Sequence, residues 1–228
     1  MQVFFIFYLI LIFLISFSSC IYLIPYVCQL GLQFNVLDKE DARKLNFNNQ
    51  VRLGGLAIII PFYLSIFLSY LTNSFNYQLL NVDFGEVTPL IIVIVAGSLS
   101  FYTLGLSDDL FTLSPYLRLA IQIIIILILI SFGLIIDING FFEKINIVDN
   151  SNLEYSFSIF LTVIFIAGII NSFNWIDGLD GLASGVTCIV SLGYLAMCLL
   201  EGKSLVAILA ASIAGASLGF LKYNFHPS

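Results

Sequence analysis

The sequence predicts an all-α fold, a polytopic bundle of about seven transmembrane helices with its N-terminus outside. Three observations predict it. Hydrophobic residues make up 60% of the 228 positions and charged residues only 10%, far too few to cover a soluble domain of this length. Apolar runs of about 17 to 25 residues recur along the chain, the length a helix rising 1.5 Å per residue needs to cross hydrocarbon. Almost all of the few charges fall between those runs, with Arg118 and Asp137 at the two ends of one of them.

The first run, residues 3–27, has no basic start, is too long for a signal core and lacks a small-x-small cleavage pattern, so it reads as a retained membrane helix. Further runs follow near 54–72, 88–106, 117–137, 155–171, 182–200 and 204–221. No long linker, low-complexity tail or internal repeat interrupts them, so residues 1–228 read as a single transmembrane domain. Cys20, Cys28, Cys188 and Cys198 stand in or beside apolar runs without a CxxC pair. They read as small hydrophobes rather than as disulfides or zinc ligands. The net charge of −6 says little about partners, and nothing in the chain suits nucleic acid.

The connections alternate in charge. Lys39, Arg43, Lys44 and Arg52 follow the first run, Arg118 follows the third and Lys222 the seventh, so six of eight basic residues share one side. The positive-inside rule makes that side the cytoplasm. Asp108 and Asp109, and also Asp177 and Asp180, fall on the same side by this count.

Three polar segments carry candidate chemistry. In 105-GLSDDLFTLSPYLRLAIQ-122 two adjacent aspartates stand where one span gives way to the next. Taken alone this is an ordinary solvated loop, but adjacent like charges repel, and such pairs suit a divalent metal or a proton transfer. In 171-NSFNWIDGLDGLASG-185, Asn171, Asn174, Asp177 and Asp180 are spaced by three, along one side of a helical turn or tight loop. Their hard oxygens suit Mg²⁺ or the hydrogen-bonding edge of a ribose or uracil. In 43-RKLNFNNQVRLGG-55, Arg43, Lys44 and Arg52 are either the positive-inside anchor or a phosphate-binding arm. His226, the only histidine, is given no role.

Together these segments resemble the polyprenyl-phosphate N-acetylhexosamine-1-phosphate transferase family, glycosyltransferase family 4. GLSDDLFTLSPYLRLAIQ is similar to its G-x-x-D-D-x-x-x-L-x-x-x-x-R-L-x-x-Q pattern, closer to the branch using UDP-N-acetylglucosamine-type donors than to the muramoyl-pentapeptide branch. NSFNWIDGLDGLASG resembles N-x-x-N-x-x-D-G-x-D-G-L-A, and RKLNFNNQVRLGG resembles R-K-x-H…P-x-x-R-x-G-G, with Asn46 standing where His is usual. The likeness covers roughly residues 38–225.

The resemblance implies transfer of a sugar-1-phosphate from a UDP-sugar to undecaprenyl phosphate, releasing UMP with Mg²⁺ present, at the start of lipid-linked surface-glycan synthesis. It implies a multi-pass enzyme of the bacterial inner membrane facing the cytoplasm, with a homodimer left open. Carried over by position, Asp108 or Asp109 would deprotonate or orient the lipid phosphate, and spacing does not say which is base and which is metal ligand. Arg43 and Lys44 would contact phosphate, Asn171, Asn174, Asp177 and Asp180 would hold the nucleotide, and Asn174 with Asp109 would take the metal. The final LGFLKYNFHPS resembles the lead into the family's F-M-G-D-x-G-S motif, which is not reached. The chain therefore reads as a C-terminally truncated member, with a catalytically inactive fragment as the alternative.

Overall fold

A computed structural model describes residues 2–34, 36, 51, 53–75, 84–138 and 151–225. Among them run seven α-helices: α1 (Gln2–Gln33), α2 (Leu56–Phe75), α3 (Phe84–Phe111), α4 (Pro115–Ser131), α5 (Ser151–Ile176), α6 (Leu182–Glu201) and α7 (Ser204–Asn224). Each predicted apolar run became one of these helices. Five are long and apolar enough to cross a membrane, and Leu56–Thr72 and Pro115–Ser131 are shorter apolar helices. The chain is an all-α polytopic membrane protein, and it packs as two compact units, Met1–Val87 with Ile176–Ser228, and Thr88–Trp175.

In the first unit the usual order of side chains is reversed. Phe4, Ile189 and Leu200 point outward, while α7 buries Ala207, Ala211, Ser212, Ala214, Gly215, Ala216, Ser217 and Gly219. Lipid tails are as apolar as leucine, so helices here associate through close backbone approach and internal hydrogen bonds. Gly215 and Gly219, four residues apart on α7, provide that approach. A methyl added at Gly215 would overlap the carbonyl oxygen of Phe13, and one at Gly219 would crowd that of Phe17, so α1 lies directly on this stripe.

Three buried hydroxyls join α1, α2 and α7. Ser16 Oγ lies 2.8 Å from Ser65 Oγ and 3.1 Å from Ser212 Oγ, and Ser212 donates to Ser65 at 2.9 Å. Ser65 donates its own proton to the Pro61 carbonyl at 2.9 Å, leaving its lone pairs to receive the others. Tyr8 Oη donates to Ser69 Oγ at 3.0 Å farther along the same seam.

The second unit is built on Ile126, Ile130 and Ala167, packed by Phe101, Ile135, Ile159, Val163 and Ile166. One boundary differs from expectation. The fourth run was expected to span 117–137, but α4 stops at Ser131. Gly133 adopts a left-handed φ of 95°, a conformation that costs glycine little. Its N–H reaches Ile130 O at 2.9 Å, and that of Leu134 returns to Leu129 O at 3.1 Å, closing the helix. The backbone beyond is non-helical yet still satisfied, since Ile136 N–H donates to Thr162 Oγ1 at 3.0 Å.

Replacing Gly215 with alanine is expected to force α1 from α7 at a cost of about 1–3 kcal/mol, the usual range for overpacking. Gly193→Ala, where an added methyl meets nothing within 4 Å, serves as the control. Thermal midpoints in detergent should fall for the first variant and hold for the second.

Candidate functional site

Two helices run farther than their apolar runs, and the extra turns carry the polar motifs. α3 continues to Phe111, placing Asp108 and Asp109 on its last turn, and α5 continues to Ile176, placing Asn171 and Asn174 on its last two turns. Charge is costly within hydrocarbon, which favours polar residues at helix ends.

Adjacent residues on a helix point about 100° apart, so the two aspartates face different neighbours. Asp108 turns toward α4. Its Oδ2 accepts from Arg118 Nη1 at 2.8 Å in a half-buried ion pair, and its Oδ1 accepts from the Leu113 N–H at 3.1 Å. Its carbonyl accepts from the Thr112 N–H at 2.8 Å. Asp109 lies half-buried on the face that carries Tyr102 seven residues earlier, whose Oη is buried without a hydrogen-bond partner. The chain then reverses through 112–114, and Ser114 caps α4 by accepting from the Leu117 N–H at 3.3 Å, with Pro115 at the first helical position.

Two turns into α4, Gln122 is 3% exposed. Its Oε1 accepts from Asn171 Nδ2 at 2.8 Å, and the same nitrogen donates to the Ala167 carbonyl at 2.8 Å. Asn171 is thus drawn inward against α4, whereas Asn174 is exposed. The D-D segment and the first half of the N-x-x-N segment, far apart in sequence, are in this way fixed at one end of the second unit. Arg118 and Gln122 enter the sequence reading as letters of the aspartate segment, with no part in a site. The signal was present in each, a polar side chain early in an apolar run.

Asp177 and Asp180 belong to the first unit, in the turn 177–181 ahead of α6. Both are exposed, yet protein packed beside Asp177 pushes its carboxyl above the ordinary range by desolvation. Gly181 closes this turn at φ 74°, and a methyl there would lie 3.0 Å from Leu221 Cδ1 and 3.2 Å from the Asn224 carbonyl oxygen. The end of α7 is therefore the seat on which the turn rests. Arg43 and Lys44 lie outside the described residues.

Among the described residues no three His, Cys, Asp or Glu side chains gather as a metal cage. Mg²⁺ rarely uses one, taking one or two carboxylates and completing its shell with water and substrate phosphate. The expected pair, Asp109 and Asn174, has the hard oxygen donors that such a mode uses.

The description "Glycosyl transferase family 4" matches residues 91–228. A probable undecaprenyl-phosphate N-acetylglucosaminyl 1-phosphate transferase of Bacillus subtilis is 30% identical over 216 residues, which is 95% of this chain and 55% of the relative. A phospho-N-acetylmuramoyl-pentapeptide-transferase of Prochlorococcus marinus is 30% identical over 96% of this chain and 61% of its own length. A decaprenyl-phosphate N-acetylglucosaminephosphotransferase of Mycolicibacterium smegmatis is 31% identical over 88% of this chain and 50% of its own. The chain thus spans between half and about three fifths of the length of these relatives.

Gly181→Ala should strain the 177–181 turn by about 1–2 kcal/mol, the cost of a left-handed residue with a Cβ. The expected result is a lower thermal midpoint in detergent and faster proteolysis within 177–185. An unchanged midpoint and cleavage pattern would show that the turn does not depend on this conformation.

Proposed function

The chain belongs to glycosyl transferase family 4, and on that premise we propose that it transfers an N-acetylhexosamine-1-phosphate from a UDP-sugar to undecaprenyl phosphate, releasing UMP. The observation that carries this reading is the pair of contacts Asp108–Arg118 and Asn171–Gln122, which hold the aspartate pair and the asparagine segment at one end of one helical unit. The same family membership supports a place in the bacterial inner membrane, with the polar end toward the cytoplasm.

An oxygen of the lipid phosphate attacks the β-phosphorus of the donor. The bond from that phosphorus to the bridging oxygen breaks, and the bridging oxygen leaves with UMP. Both substrates are anionic, so the principal task is positioning and charge neutralisation. One of the two aspartates, Asp108 or Asp109, removes or orients the proton of the attacking phosphate and thereby keeps an oxygen nucleophilic. Asn171, Asn174, Asp177 and Asp180 recognise the nucleoside through hydrogen bonds, and Arg43 and Lys44 supply positive charge to phosphate. Mg²⁺, held by Asp109 and Asn174, would offset the diphosphate charge.

Membranes carrying the chain, given labelled UDP-N-acetylglucosamine, undecaprenyl phosphate and Mg²⁺, should form labelled lipid, and EDTA should prevent it. Asp109→Asn and Asp177→Asn should each lower the rate by about 10²–10⁴-fold, the scale of a lost acid–base or orienting group. Membrane insertion should be unchanged in both. Full activity in both variants would overturn the site, and no labelled lipid from the wild-type chain would overturn the reaction. Single cysteines placed within 37–50 of a cysteine-free chain should react with an impermeant maleimide only after cells are opened; labelling of intact cells would reverse the orientation.

A further inference from the structure

We propose that Asp108 is a positioning residue, which fixes the 112–114 turn and Arg118 and so sets the end of α3 that carries Asp109. Its catalytic consequence rests on the transferase reading above; its geometry does not.

The case begins with how α3 ends. A helix commonly closes on a left-handed residue, usually glycine, because a Cβ is strained there. Here that residue is Thr112, at φ 50°, and a β-branched side chain rarely takes such a conformation. Strain of this kind persists only where the surroundings over-determine it. Asp108 supplies the determination, with its carbonyl on the Thr112 N–H and its Oδ1 on the Leu113 N–H. The carbonyl takes the last helical bond, as any residue there would, while the side chain satisfies the next donor, and the chain is delivered to the Ser114 cap of α4.

Both carboxylate oxygens are committed, since Oδ2 holds Arg118 Nη1. Using Asp108 as a base would place a proton on the partner of a half-buried guanidinium and leave that charge uncompensated. The ion pair has a second consequence. It ties the first turns of α4 to the last turn of α3 across the reversal, so the two helix ends are held together by the side chain beside Asp109. The two aspartates thereby divide the work. One builds the turn, and the other is presented by that turn.

A double-mutant cycle in the full chain tests this, with Asp108→Asn, Arg118→Gln and the double variant assayed with UDP-N-acetylglucosamine and undecaprenyl phosphate. Each single change should lower kcat by about tenfold, the scale of one charge-assisted hydrogen bond. The double variant should be no worse than the poorer single, and the midpoints of the pH–rate profile should not move. Losses that multiply, a pH limb that disappears, or a drop of roughly 10²–10⁴-fold in Asp108→Asn alone would make Asp108 a group that touches the reacting atoms and overturn the proposal. Amide hydrogen exchange over 110–118 provides a readout independent of turnover. Exchange should quicken by about tenfold in Asp108→Ala, the loss of a bond of about 1.4 kcal/mol, and hold in Asp109→Asn. Unchanged protection in Asp108→Ala overturns the proposal even if the wild-type chain transfers sugar phosphate. A wild-type chain that transfers nothing refutes the transferase reading, while the exchange result still decides the role of Asp108.

Discussion

Hydrocarbon offers no hydrogen-bonding partner, and the rest of this structure follows from that constraint. Backbone groups must be satisfied within the chain, which restricts the spanning elements to helices. Side chains sort in the reverse of a soluble protein, because burying leucine gains nothing over leaving it in lipid. What remains to bind helix to helix is close approach at Gly215 and Gly219 and the hydroxyl ring of Ser16, Ser65 and Ser212. Charge cannot stay in the middle, so it collects where helices end.

That sorting locates the chemistry. In the second unit α3 and α4 form an antiparallel pair through a three-residue reversal, and α5 returns so that Asn171 meets Gln122. The polar ends of all three helices therefore share one end of the unit, with an aliphatic core beneath them. Their polar residues divide into two kinds. Asp108, Arg118, Gln122 and Asn171 hold one another, while Asn174 is exposed at the same end. A framework of mutually satisfied polar groups orients a site with little reorganisation when charge arrives.

Much of the fold was legible because hydropathy is a one-dimensional signal. All seven apolar runs became helices, and the three-residue spacing of Asn171 and Asn174 fell on a helix as expected. The end of the fourth span was not legible. Glycine is common within membrane helices, and nothing local marked Gly133 as the one whose φ would turn positive. The polar end of α3 lies where hydropathy drops and so reads as a loop, yet the helix continues to Phe111. The pairing of Asn171 with Gln122 is long-range and leaves no mark in spacing. Asp108 and Arg118 were both visible as motif residues, but their ion pair depends on the sharp reversal at Thr112, a residue that no turn rule would select.

The central proposal is that the 177–181 turn bearing Asp177 and Asp180 recognises a UDP-sugar. Equilibrium binding of labelled UDP-N-acetylglucosamine to the detergent-solubilised 228-residue chain tests it most directly. Saturable binding is predicted, displaced by UMP and weakened by about tenfold or more in Asp180→Asn, the loss of one good hydrogen bond to the ligand. No saturable binding, or equal binding by wild type and variant, would contradict it.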